Sequence, residues 1–288
     1  MADRDVSTKK TLLLVQFSVM LAIEAVICFT PLGSVPLAPP LIVATLGMIP
    51  VVITAILLGT GAGALMGFFA GLFSFIVWTF MPPSPIMAFV FTPFYSIGSV
   101  SGNFWSIVIC FVPRVLVGVV TGVLYRLFRR VIRPGEVGNF ATYGLGAFVC
   151  ALLSAVFVFI IGYVVVKIAL GQSMAPIFVW IFLVALLIVL TVAFYHIFRR
   201  KLREDTAGDF AIYGVSAIAG SMVNTIFVLG GIYLFFGQTY AAEMGIGYET
   251  LLGILGISVV TNGIPEAALS AVAAYFVARA VLRRPARG

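Results

Sequence analysis

Charge is what this chain has least of. Acidic and basic side chains make up 9% of its 288 residues, and the mean hydropathy is +1.20. A soluble domain carries roughly a quarter of its residues as charges, so that class is excluded. Cysteine is sparse too: Cys28, Cys110 and Cys150 fall in apolar segments without CxxC spacing, which argues against a cysteine-based metal or redox centre and leaves them as small hydrophobes. The single histidine, His196, lies beside Tyr195 at the edge of an apolar run and reads as an interfacial side chain. No GxxxxGK[ST], HExxH or GxSxG motif occurs, so this chain is expected to be no enzyme, to hold no cofactor or metal, and to leave any ATP hydrolysis to other subunits. The first apolar run continues through Glu24 to a Pro-rich loop with no small-residue cleavage site, so it is expected to remain as a helix.

The charges that are present are segregated. Fifteen of the seventeen Lys and Arg residues sit at every second gap between apolar stretches, the exceptions being Arg114 and Lys167. By the positive-inside rule, Arg4, Lys9 and Lys10, the clusters Arg126 to Arg133 and Arg199 to Arg203, and Arg279 to Arg287 face the cytoplasm. Loops 31–40, 81–103, 171–175 and 238–249 contain no Lys or Arg and face outside. A net charge of +7 spread along membrane edges suits anionic lipid headgroups and argues against nucleic acid as a partner.

A span takes about twenty apolar residues. Eight stretches qualify: 11–30, 40–58, 62–80, 104–128, 141–168, 176–198, 210–237 and 250–278. The expected fold is an all-α polytopic bundle with both termini cytoplasmic, forming a single transmembrane domain over residues 1–288. At an offset of seventy residues, 121–163 aligns with 191–233 without a gap and with fifteen identities, among them FRR at 128 and 198 and FAxYG at 140 and 210. The pattern reads as a tandemly copied two-helix unit, giving a six-helix core plus an extra hairpin. The copies differ at depth, where Ser154 and Ala155 of the first become Asn224 and Thr225 in the second.

Polar groups inside spans are costly, by about 2.5 to 3.5 kcal/mol on insertion scales, and mark candidate sites. Here they are Glu24, Arg114, Asn224 with Thr225, Asn262 and Glu266. Asn262 and Glu266 share a helix face, and Gly263 with Pro265 interrupts the backbone ladder beside them. Two readings stay open: Arg114 ties helices together through an ion pair with Glu24 or Glu266, or it offers a forked donor to a carboxylate ligand whose hydroxyls and amides meet Asn224, Asn262 and Glu266. The uncharged loop 81–103, flanked by Trp78 and Trp105, reads as an interfacial aromatic belt, as a lid over an apolar-walled pocket, or as both. Gly63, Gly67 and Gly71, together with Ser18, Ala22 and Ala25, form small-residue faces that serve internal packing or the docking of another membrane protein.

The stretch CFTPLGSVPLAPPLIVATLGMIPVVITAILLGTGAGALMGFFAGLFSFI, with PRVLVG at 113–118, VNTIFVLGGIYLFFG at 223–237 and NGIPEAALSA at 262–271, resembles the substrate-binding S component of energy-coupling factor (ECF) vitamin transporters. The resemblance covers residues 10–128 and 210–280, and the last two motifs are most similar to pantothenate-type members. It implies a six-helix S-component-like bundle in a bacterial or archaeal cytoplasmic membrane, binding its vitamin with high affinity. It also implies partners, namely a transmembrane T component and two cytoplasmic ATPases. The sequence departs from the family in having eight expected helices, and in carrying Ser18, Ala22 and Ala25 where the family's first helix has AxxxA. The alternative is a proton- or ion-coupled secondary transporter of a small organic anion. Such a transporter is expected to show inverted repeats, and the repeat here is parallel.

Overall fold

The computed structural model describes residues 2–33, 35–38, 42–44, 46–97, 100–131 and 204–282, with isolated positions between 185 and 196. The expected span 141–168, most of 176–198 and most of the first repeat copy lie outside the described residues. The chain forms two compact units, Met1–Leu124 with Ser216–Gly288, and Tyr125–Val215.

The first unit opens with α1 (Ala2–Phe29), followed by a short antiparallel hairpin of β1 (Val35–Ala38) and β2 (Ile42–Ala44). Helix α2 (Met48–Leu58) and α3 (Thr60–Phe80) follow, joined only by Gly59, whose φ is +98°. Next come α4 (Pro85–Phe91), the two-residue strands β3 (Ser96–Ile97) and β4 (Val100–Ser101), and α5 (Phe104–Val131). After the undescribed stretch, α6 (Glu204–Gly231) runs into a π-helical turn at Ile232–Phe236 and then α7 (Gly237–Glu243). Helix α8 (Tyr248–Ser258) likewise passes through a π turn, Val259–Gly263, into α9 (Ile264–Leu282).

Among the described residues, five helical stretches are long and apolar enough to cross a bilayer: Lys10–Phe29, Thr60–Phe80, Phe104–Arg130, Ile212–Glu243 and Tyr248–Leu282. The outward faces of these helices carry Leu14, Phe68, Val123, Ile226 and Phe276, all exposed, which is the pattern of side chains meeting lipid rather than water. The chain is an α-helical membrane protein.

Residues 40–58 do not form the continuous span expected. Pro36, Pro39 and Pro40 withhold backbone donors, and β-branched Val35, Ile42 and Val43 favour extended chain, so a hairpin occupies this stretch up to Ala44. The helix starts only at Met48, with Pro50 tolerated in its first turn, and its eleven residues are about 16 Å long. Short strands thus appear in a fold expected to be wholly helical.

Loop 81–103 is also more structured than its composition suggested. Phe89, Val90 and Phe91 of α4 are buried, Ser106 Oγ donates to the Phe89 carbonyl at 2.7 Å, and the hydroxyls of Thr79 and Thr92 lie 2.8 Å apart. Helix α4 is therefore pinned to α3 and α5 as a wall. Its Phe89 meets Phe236 edge-on, with ring centres 5.6 Å apart, which joins it to the first π turn in one apolar cluster.

In the second unit, the rings of Tyr125 and Tyr213 stack with centres 5.9 Å apart, and Arg129 Nη1 donates to the Tyr125 hydroxyl at 3.1 Å.

Candidate functional site

Within the first unit a cavity of about 150 Å³ opens among these helices. Helical periodicity decides which side chains reach it. Ala70, Ser74 and Trp78 are spaced by four on α3, Asn224, Val228 and Ile232 by four along α6 and into its π turn, and Ile254, Ser258, Asn262 and Glu266 by four across α8, its π turn and α9. In a regular α-helix a four-residue step overshoots a full turn by about 40°. The wider turn at Val259–Gly263 counters that drift, so the row from Ser258 to Glu266 stays on the cavity.

Arg114, Asn224, Thr225, Asn262 and Glu266 all line this cavity, although they come from three segments distant in sequence. Arg114, only 7% exposed, donates from Nη1 to the Ile109 carbonyl at 2.9 Å and from Nη2 to Ser74 Oγ at 3.3 Å, and its Nε has no hydrogen-bond partner. Its hydrogen-bond acceptors are thus a carbonyl and a hydroxyl, both uncharged. The face of Phe91 lies 5.5 Å from the guanidinium carbon, and Phe91 in turn stacks on Trp78 with centres 4.7 Å apart. Asn224 is buried, with Oδ1 unpartnered. Met87, Val228, Leu229, Ile232 and Leu255 supply the apolar part of the wall.

Glu24 is placed differently from the expectation. It is fully buried but does not line the cavity. Its Oε1 accepts from Cys28 Sγ at 3.2 Å, its Oε2 has no hydrogen-bond partner, and it is Cys28 that reaches the cavity surface. Nor does the glycine row offer a face to another protein. A Cβ on Gly67 would run into the Arg114 carbonyl and stand 2.9 Å from Val115 Cα, one on Gly71 would stand 3.0 Å from the Phe111 ring, and Gly63 abuts Ala55 and Gly118. These glycines bring α3 against α5 and set the depth at which Arg114 sits. Ser18 and Ala22 on α1 are exposed and Ala25 is half-buried.

Among the cavity residues, Ser74 and Tyr240 are not singled out by the sequence analysis, and Trp78, Met87 and Phe91 enter it only as the flank or part of loop 81–103, read as a belt or a lid. The four-residue row Ala70, Ser74, Trp78 was a usable signal, since Ser74 is polar on a face that otherwise packs inward. Met87 and Phe91 also stand four apart, yet they sit in a loop whose short helix only tertiary packing stabilises.

No protein-family model matches this chain. Over 84 residues it is 38% identical to the pantothenic acid transporter PanT of Lactococcus lactis subsp. cremoris (strain MG1363), a stretch amounting to 29% of this chain and 42% of that protein. The chain thus matches about two fifths of the length of this relative.

Proposed function

We propose that this chain is the membrane-embedded substrate-binding subunit of an ECF-type transporter and imports a carboxylate-bearing vitamin, pantothenate. The observation that carries the reading is a cavity that gathers Arg114, Asn224, Thr225, Asn262 and Glu266 beside an aromatic wall. Arg114 hydrogen-bonds only to uncharged acceptors, and the buried Glu24 within its electrostatic range makes no hydrogen bond to it, so the guanidinium keeps capacity for an anion, and a carboxylate matches its fork. Pantothenate adds hydroxyls and an amide, which suit Asn224, Thr225, Asn262 and Glu266, and a gem-dimethyl branch that suits Val228, Leu229 and Ile232. The partial identity to a pantothenic acid transporter supports the same ligand. Energy comes from partner subunits, a T component and two ATPases, in a bacterial or archaeal cytoplasmic membrane.

Calorimetric titration of the purified protein tests the ligand. Pantothenate should bind, and pantothenol, which carries a hydroxymethyl group in place of the carboxylate, should bind at least about tenfold more weakly. Equal affinity for both would remove the carboxylate from the reading. Proteoliposome uptake tests the class: accumulation should require ATP and the partner subunits, whereas uptake by this chain alone under an ion gradient would make it a secondary transporter.

A further inference from the structure

We propose that Pro113 is a positioning residue for the ligand-binding guanidinium: by withholding a backbone N–H it frees the Ile109 carbonyl, and that carbonyl fixes Arg114 in the cavity. The identity of the ligand rests on the functional reading above; the geometry of α5 is independent of it.

In an α-helix the N–H of each residue bonds to the carbonyl four positions earlier. Pro113 lies inside α5 and has no N–H, so the carbonyl it leaves unserved is that of Ile109. Ile109 is 2% exposed, and a buried carbonyl needs a donor. The donor is the neighbour of the proline: Arg114 Nη1 reaches Ile109 O at 2.9 Å. Backbone direction favours this, because the Cα–Cβ bond of a helical residue leans toward the helix N-terminus, back over the turn whose hydrogen bond is missing.

Each half of the Pro113–Arg114 pair is unfavourable alone. A proline inside a helix breaks its ladder, and a buried arginine needs acceptors. Side by side, each supplies what the other lacks. Ser74 Oγ takes Nη2 from α3, and the Phe91 ring lies against the guanidinium, so the plane is held on both Nη atoms while Nε remains without an acceptor. With any other residue at 113, the backbone N–H would compete for Ile109 O, and the guanidinium would lose its strongest anchor.

The test is a pair of measurements on Pro113→Ala, Arg114→Ala and the double variant, in the full-length protein. Pro113→Ala should raise the melting temperature of the unliganded protein by roughly 5 °C, because the ladder is restored, and should weaken pantothenate binding about tenfold, because the guanidinium is no longer held. Arg114→Ala should lower the melting temperature clearly in the wild-type background, where it orphans Ile109 O, and much less in the Pro113→Ala background. A proline that merely bends the helix would give no such coupling. Pantothenate affinity within twofold of wild type in Pro113→Ala, or an Arg114→Ala penalty equal in both backgrounds, would overturn the proposal. Should Pro113→Ala fail to fold, Pro113→Ser restores the same N–H and carries the same two expectations. A wild-type protein that does not bind pantothenate would overturn the choice of ligand only, and the melting-temperature coupling would still decide the role of Pro113.

Discussion

A guanidinium held by a carbonyl and a hydroxyl keeps its charge available to whatever enters the cavity, and this gives the residue-scale predictions their sign. Arg114→Lys retains the charge but loses the fork and the reach to both anchors, so pantothenate affinity should fall by about 1.5 to 3 kcal/mol. A folded Arg114→Ala protein with the wild-type dissociation constant would show that Arg114 serves packing alone. Phe91→Leu keeps apolar bulk beside the guanidinium and removes the π face, and should weaken binding by about 0.5 to 2 kcal/mol. Unchanged affinity in that variant would reduce the aromatic wall to a matter of shape. The polar residues of this site were legible in the sequence because burial makes an ionisable or amide group in an apolar span conspicuous. Glu24 shows the limit of that logic: depth alone does not tell a cavity wall from the layer behind it, and only its contact with Cys28 Sγ separates the two.

At the scale of the helix, small residues have opposite consequences on α3 and α1. Gly67 faces the backbone of Arg114 and Val115, so even Gly67→Ala must push α3 and α5 apart. Such overpacking typically costs about 1 to 3 kcal/mol. Thermal unfolding should register the loss, and pantothenate binding should weaken with it, since Arg114 and Ser74 sit on the two displaced helices. Normal melting and normal affinity would mean the contact is looser than the geometry shows. Ala22 and Ser18 lie on the exposed side of α1. Under the proposed function, Ala22→Leu should therefore bind pantothenate normally and fail in ATP-driven uptake, whereas normal uptake would move the partner contact elsewhere. Sequence spacing announced both faces as close-packing surfaces, but which one is filled from within depends on a neighbour that periodicity does not reveal. Helices α3 and α5 were legible from apolar length, whereas the β1–β2 hairpin was not. Its residues are as apolar as those of a span, and the prolines that decide the matter were read as loop punctuation.

For the molecule as a whole, the tandem repeat proposes a separable part. Deleting Val131 through Arg200 removes one seventy-residue period and joins Arg130 to Lys201. The shortened protein should insert, bind pantothenate and melt at a lower temperature; a monodisperse deletion protein without binding would assign the removed segment to the site. A last consequence comes from the junction between α2 and α3. At about 16 Å, α2 falls well short of the roughly 30 Å hydrocarbon thickness, and it is tied to α3 by a single residue, Gly59, with φ +98° and ψ 174°, a conformation essentially reserved for glycine. An eleven-residue segment has too little apolar length to be recognised and released by the insertion machinery on its own. It is therefore expected to enter the bilayer together with α3 as one hairpin. Gly59 therefore governs biogenesis more than ligand affinity: Gly59→Ala should lower the fraction of nascent chains that integrate, while the molecules that do integrate bind as before.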